Sequence, residues 1–309
     1  MKSGGTVRQN ARISVVIPHL NQPEHLARCL ASLHAGAHLP DEVFVVDNGS
    51  KEMPLAICAA YPSVTLLRET TPGPGPARNL GVAAATGDII AFIDADCLAD
   101  PHWLAAVAAA MADQKAQILG GDVRIALQDP DQITSLEAYE SIYAYRMDRY
   151  IAREGFTGTG NLAVRSSVLA AVGPFAGLAV AEDRDWGQRA TALGYDLRYV
   201  PGMKVYHPAR PNFADLAIKW DRHTAHNFIA AKAKPLGRLR FAVKTIVMGA
   251  SPLAEIPRIL ASDRVTGARN KVLAFACLAR IRLYRAKIMT RLLLGGDPGQ
   301  LSGAWNRKS

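Results

Sequence analysis

The sequence predicts an α/β fold, a doubly wound and mostly parallel sheet with helices on both faces, followed by a basic α-helical C-terminal extension. Three observations carry that expectation. Over the first 113 residues, short β-rich apolar runs alternate with segments of helical spacing, the pattern of strands joined by crossover helices. Three of the runs end in polar breaks: Pro18-His19-Leu20-Asn21, Asp47-Asn48-Gly49-Ser50 and Asp94-Ala95-Asp96. The charge also changes sign along the chain. Residues 1–210 carry 18 Lys+Arg against 22 Asp+Glu, a net −4, whereas residues 211–309 carry 18 against 5, a net +13.

The first strand is ISVVIP (13–18), stopped by proline. Pro23 then opens a helix with Leu26, Leu30 and Leu33 at helical spacing, closing near Gly36. EVFVVD (42–47) is the second strand, and its exit DNGS is turn chemistry. SVTLL (63–67) is the third. PARNLGVAAATG (76–87) reads as a helix, with proline near its start and glycine past its end. DIIAFID (88–94) is the fourth strand, and PHWLAAVAAAMAD (101–113) the helix after it. From about 117 the periodicity loosens through ILGGDVRIAL, the aromatic-rich YESIYAYRMDRY (139–150) and GTGNLAVRSS (158–167). The span 181–208 predicts a helix ended by Gly194 and then two short strands. A change to basic, helical composition places a boundary near 210, giving domains of 1–210 and 211–309.

With 309 residues, 49% of them hydrophobic, the chain can bury a sizeable core and is not disordered. Cys29, Cys58, Cys97 and Cys277 lie far apart with no CxxC spacing, which implies reduced thiols rather than zinc or disulfides. The opening MKSGGTVRQNAR is polar and shows no secretory pattern, so a cytoplasmic location is expected. The longest stretch free of Asp, Glu, Lys and Arg, Ser166 to Ala181, is too short for a bilayer and is broken by Gly173-Pro174.

In open α/β sheets, ligands bind beyond the C-terminal ends of the strands, so the three polar breaks are expected on one rim. If the segment is extended, Asp94 and Asp96 point the same way. Two hard oxygen ligands with open positions suit Mg²⁺ or Mn²⁺ carrying a diphosphate. The same spacing also suits a plain solvated turn; its place at a strand end, beside two other polar breaks, favours the cation.

Five stretches carry a family resemblance: VVIPHLNQPEHLARCLASL, VVDNGS, GPARNLGVAAATGDIIAFIDADC, GTGNLAVRSSVL and AEDRDWGQRATALGY. In this order they resemble the family 2 glycosyltransferases, whose fold is the Rossmann-like GT-A nucleotide-diphospho-sugar transferase domain. The likeness covers about residues 12–210 and leaves the tail uncovered. It implies metal-dependent, inverting transfer of a sugar from a nucleoside-diphosphate sugar, a uridine one being favoured, to an acceptor hydroxyl of a glycan or lipid-linked glycan. Cell-surface polysaccharide, glycolipid or other glycoconjugate synthesis is the expected setting.

The resemblance also implies roles. Pro18, His19, Asn21 and Glu24 line the nucleotide pocket, with Asn48 beside it; Asp47 contacts the base; Arg78 reaches the nucleotide. Asp96 is the direct metal ligand, while Asp94, with Ala95 between them, tends toward the ribose and metal waters. His207 in VYHP is a further ligand candidate, though a lone histidine also suits a hydrogen-bonded structural place. Asp183 is the catalytic base, with Glu182, Trp186 and Arg189 on the acceptor side. Trp186 suits either stacking on the acceptor or the core, and Arg189 suits holding the acid loop. Gly160-Asn161 shapes the donor-sugar pocket through close backbone approach. The chemistry makes the same demands: a cation to neutralise the leaving diphosphate, and a carboxylate to take the attacking hydroxyl's proton.

Rival classes fit less well. In GPGPARNLG, Gly73 and Gly75 are followed by Arg78 where a dinucleotide fingerprint needs glycine, and the stretch follows the third strand. A nucleotidyltransferase needs a glycine-rich loop after the first strand, and PHLNQPEH has none. A non-catalytic nucleotide-sugar-binding or membrane-associated scaffold is the remaining alternative, opposed by intact Asp94, Asp96 and Asp183. The basic tail lacks any aromatic-interleaved or zinc module for nucleic acid. It offers two apolar-basic stretches, 239–260 and 270–296, and peripheral attachment to the cytoplasmic face of the inner membrane is expected. In 270–296, however, Arg280, Lys287 and Arg291 fall opposite Lys271, Arg282 and Arg285, so a packed helical subdomain is the competing expectation.

Overall fold

A computed structural model describes residues 11–178 and 180–302. The polar stretch 1–10, expected to lack a secretory pattern, lies outside them. The chain forms two compact units. One takes the residues up to Ala126 and Tyr145–Pro208, the other Leu127–Ala144 and the residues from Ala209 on.

In chain order the elements of the first unit are β1 (Ile13–His19), α1 (Pro23–His34), β2 (Glu42–Asp47), α2 (Leu55–Ala59), β3 (Val64–Arg68), α3 (Pro74–Ala84), β4 (Ile89–Ile93), β5 (Leu98–Ala99), α4 (Trp103–Met111) and β6 (Ile118–Ala126). After α5 (Ser135–Tyr143) of the second unit come α6 (Met147–Glu154), β7 (Asn161–Arg165), α7 (Ser166–Val172), α8 (Glu182–Ala192) and β8 (Leu197–Pro208). One eight-stranded sheet runs β3-β2-β1-β4-β7-β6-β8-β5. The strands β3, β2, β1 and β4 are parallel, as the alternation predicts. β7 inserts antiparallel between β4 and β6, and β5 pairs antiparallel with β8.

Alternation along β1 decides the layers. Val15 and Ile17 join one apolar cluster with Leu26, Leu30 and Leu33 of α1, whereas Val16 joins another with Phe92, Phe175 and Trp186. A strand buried on both faces reads as a continuous apolar run, which is why ISVVIP is legible. Proline at the first turn of α1 and α3 costs no helical hydrogen bond.

The two short strands expected in 197–208 are one strand, β8. Its register on β6 jumps, Gly121 pairing with Val200 and Asp122 with Lys204. Pro201 and Gly202 thus sit in a bulge, where a missing N–H is harmless. A Cβ on Gly121 would lie 2.1 Å from the Met203 carbonyl oxygen, so only glycine fits.

The second unit contains α5 with α9 (Phe213–Lys232), α10 (Gly237–Ala250), α11 (Ile256–Leu260), α12 (Ala268–Leu293) and α13 (Gly299–Ser302). Thr134 and Glu137 close a reciprocal capping box that starts α5. The central helix α12 buries Ala274, Cys277, Leu278 and Ile281 against Ala138, Tyr139 and Ile142 of α5. Its opposed cations are used in packing. Arg280 lies over Phe213 at 3.9 Å, Arg285 over Trp220 at 3.8 Å, and Arg282 pairs with Glu255 at 2.7 Å. Among the described residues, no helix is long and apolar enough to cross a membrane.

Candidate active site

The parallel register puts His19 beside Asp47 at the ends of β1 and β2. Both are buried, with His19 Nδ1 3.0 Å from Asp47 Oδ1. The Gln22 backbone N–H donates to His19 Nε2 at 3.2 Å, so the ring proton sits on Nδ1 and donates to Asp47. Burial would raise the Asp47 carboxyl, but donors from Ser50 and His19 outweigh it and hold the group below its ordinary range. Asn48 braces the turn, donating to the Thr71 carbonyl at 2.8 Å and accepting from Gly73 N at 2.7 Å. Asn21 adopts φ 52 and is tied to Ser50 Oγ and Lys51 N. Pro18 is half-buried, and Glu24 is exposed in the first turn of α1.

Beyond β4 the chain turns at once. Cys97 N donates to the Asp94 carbonyl at 3.0 Å, and residues 95 and 96 are a turn rather than extended chain. The two carboxylates therefore do not share a side by strand alternation, as an extended segment would require. Each meets its own partner from elsewhere. Asp94 Oδ1 accepts from Arg78 at 2.8 Å, and Asp96 Oδ2 lies 3.5 Å from His207 Nε2. Ala95 between them is buried. Close approach is needed at Gly160, where a Cβ would lie 2.5 Å from Asp94 Oδ2.

Arg78, buried in α3, joins two distant acids. It donates to Asp94 and, at 3.0 Å, to Glu182 Oε1. Glu182 and Asp183 open α8, where negative charge complements the helix N-terminus. Asp183 Oδ1 accepts from Arg184 N at 2.7 Å. Burial, aided by Glu182, raises its carboxyl above the ordinary range against the pull of Arg78. Trp186 is 1% exposed, packs on Phe175 and donates to the Gly173 carbonyl, so it occupies the core. Arg189 clamps the preceding loop through the Val172 and Pro174 carbonyls and Asp185. Asn161 is buried and structural in its contacts, accepting from Trp103 Nε1 and donating to the carbonyls of Asp122 and Met203.

Asp96, Cys97 and His207 present donor atoms within 4.8 Å of one another. His207 Nδ1 donates to the Pro208 carbonyl at 2.7 Å, which leaves the Nε2 lone pair facing Asp96. Burial raises the Asp96 carboxyl against the pull of His207, a cost that a cation would relieve. Burial and the neighbouring acids keep the Cys97 thiol protonated, and it donates to Asp96. The usable donors are thus one carboxylate and one imidazole. That set, completed by oxygen ligands, would suit a hard divalent ion rather than a thiolate-bound one.

Two neighbours were not singled out by the sequence. Tyr145 directs its hydroxyl to His207 at 3.1 Å, from a backbone at φ 49. Only its place in an aromatic-rich span signals it. Cys97 adjoins Asp96, but a lone cysteine carries no signal of its own. Asn21 and Tyr145 are two of three non-glycine residues with positive φ among the described residues, and such backbone concentrates at functional sites.

The glycosyl transferase family 2 profile matches residues 14–173. A glycosyltransferase of Haloferax volcanii, AglE, is 34% identical over 215 residues, covering 67% of this chain and 70% of that one. The pre-mycofactocin glycosyltransferase of Mycobacterium tuberculosis is 28% identical over 89% of this chain, which spans 57% of its length. Among solved structures, the mannosyltransferase PcManGT of Pyrobaculum calidifontis, in complex with GDP-Man and Mn²⁺, superposes with TM-score 0.57 at 18% identity, covering 94% of this chain and 89% of that one. The glucosyl-3-phosphoglycerate synthase of M. tuberculosis, with Mn²⁺, UDP and phosphoglyceric acid, gives TM-score 0.50 at 22% identity over 70% and 76%. The fold is therefore GT-A.

Proposed function

This chain belongs to glycosyl transferase family 2 and is a glycosyltransferase, and from that premise we propose a metal-dependent, inverting transfer of a sugar from a nucleoside-diphosphate sugar to an acceptor hydroxyl. The observation that carries the proposal is Arg78. Its guanidinium ties Asp94, at the donor corner, to Glu182, which lies 104 residues beyond Arg78 and next to Asp183. The carboxylate that takes a proton is thereby held against the corner where the diphosphate leaves.

Asp47 and His19, with Asn21, Glu24 and Asn48, would receive the nucleoside at the ends of β1 and β2. Asp96 and His207 would hold Mn²⁺ or Mg²⁺, with Asp94 alongside. Bound there, the cation neutralises the charge that gathers on the departing diphosphate. Asp183 accepts the acceptor's hydroxyl proton as the new bond forms on the face opposite the leaving group. Gly160 leaves room for the donor sugar beside Asp94. Relatives captured with GDP-mannose or with UDP and Mn²⁺ support a diphosphate donor; a uridine donor is favoured, and the acceptor is a glycan or lipid-linked glycan. Residues 1–210 carry the transfer. The basic residues from 211 on hold the protein peripherally at the cytoplasmic face of the inner membrane.

A thermal-shift screen of nucleotide sugars with Mn²⁺ identifies the donor, because a ligand of the native state raises its melting point. With that donor, Asp183→Asn is expected to slow transfer by about 100- to 10,000-fold with near-normal donor affinity. Asp96→Ala is expected to lose metal-dependent donor affinity. Retained transfer in the first variant overturns the base assignment, and unchanged affinity in the second overturns the metal site.

A further inference from the structure

The helical unit encloses a cavity of about 510 Å³ between α9, α10 and α12. Lys234, Arg240, Lys244, Arg282 and Arg285 line it, with no acidic side chain among the lining residues. Arg282 is answered by Glu255. Arg285 has a buried Nε with no hydrogen-bond partner. Thr224, only 3% exposed, lines the same cavity, and its hydroxyl is likewise unpartnered. Buried donors are seldom left unmade without a reason. The positive field extends along α9. Burial, together with Lys219, Arg222, Arg285 and His226, pushes His223 down to about 4. Burial and the charges of Arg210 and Arg222 push Lys219 down to about 8, against the pull of Glu140.

The outer side of α10 is apolar. Leu239, Val243, Ile246 and Val247 are exposed, Ile246 to 75%, and Leu236, Leu253 and Leu260 in the flanking segments are exposed as well. At about 100° per residue, Arg240 and Lys244 fall between that stripe and Phe241 and Met248, which line the cavity. An apolar stripe bordered by cations matches the boundary between acyl chains and phosphate headgroups.

We propose that the cavity between α9, α10 and α12 seats the phosphate headgroup of an acidic phospholipid, while the exposed stripe of α10 lies in the adjoining acyl region. The occupant is a bilayer lipid because the cationic cavity and the apolar stripe share one helix; a soluble anion would use only the first. This site rests on the peripheral-membrane reading and names the surface responsible for it.

The test is sedimentation of the full chain with vesicles of phosphatidylcholine alone or mixed with phosphatidylglycerol. Strong binding is expected only with the acidic lipid. Arg240→Glu and Lys244→Glu, each a change of two charges, are each expected to weaken it about thirtyfold, and Ile246→Asp about tenfold or more. Thr224→Val is expected to weaken it about two- to tenfold, an effect that plain electrostatic adsorption would not give. Arg269→Glu, an equal charge change outside the cavity lining, is expected to have less effect than Lys244→Glu. All five substitutions need unchanged thermal unfolding to count. If the unaltered chain ignores acidic vesicles, the membrane reading falls and this site with it. If it binds but Ile246→Asp and Thr224→Val bind equally well, or Arg269→Glu matches Lys244→Glu, the site alone is overturned. Full displacement by inorganic phosphate, with Ile246→Asp unaffected, would make the occupant a soluble phosphate compound and also overturn it.

Discussion

Asp183 can accept a proton only while ionised, and its surroundings work against ionisation. Burial is the main cause of its raised carboxyl, so if Asp183 is the base, as proposed, it is lost earlier as pH falls than an ordinary carboxylate would be. The acid limb of kcat/KM against pH is accordingly expected above the 3.8 of an ordinary aspartate. A limb at that ordinary value would show that burial does not govern the base. At Gly160 the decisive quantity is a distance. An alanine methyl would stand 2.5 Å from Asp94 Oδ2 and push that carboxylate off Arg78. Gly160→Ala is expected to lower kcat/KM about 10- to 100-fold, with Tm little changed. A normal donor KM in that variant would dissociate Asp94 from the donor.

Between elements, one carboxylate joins three segments. Glu42 at the start of β2 accepts from Ser14 Oγ of β1 at 2.5 Å and from Thr86 N and Gly87 N ahead of β4 at 2.6 and 3.2 Å. Burial would raise its carboxyl, but these donors outweigh it and hold the group below its ordinary range. A carboxyl lowered in the folded state contributes stability that is present above its unfolded pKa and lost as pH falls through its folded one. Glu42→Gln is therefore expected to cost roughly 1–3 kcal/mol near neutral pH. In urea titrations that gap should close as the pH falls below the ordinary carboxylate range. The strands that depend on local pattern were legible: β1, β2 and β4 are apolar runs between turn residues, and their ends do converge at the His19–Asp47 and Asp94 corner. The antiparallel insertion of β7 was not, because pairing direction is set by partners far along the chain. Nor was the split between Asp94 and Asp96. It follows from a turn hydrogen bond and from side chains at positions 78 and 207, neither of which lies within the motif. Trp186 illustrates the same limit, since its helical spacing from the acids does not tell which way the indole faces.

For the whole molecule, the charge contrast of −4 and +13 along the sequence has two destinations. Part of the basic excess is absorbed inside the helical unit, where Arg280 and Arg285 stack on Phe213 and Trp220. Another part, Lys234, Arg240 and Lys244, lines the cavity beside α10. A chain ended at residue 210 would keep α5 but lose α9 to α12, uncovering Tyr139 and Ile142, each worth about 1.5–3 kcal/mol of burial. Such a chain is expected to bind more of the dye ANS and to aggregate more readily than the full chain; a monomeric truncation with no extra dye binding would show that α5 does not need its helical partners. The place of α5 also has a consequence during synthesis. It ends at Tyr143, while the helix that covers it starts at Ala268, about 125 residues later. At ribosomal speeds of about 5–20 residues per second, its greasy face waits roughly 6 to 25 s for cover. That interval is long enough for a nascent-chain chaperone to bind, so the protein's yield should depend on translation speed across the second half of its message.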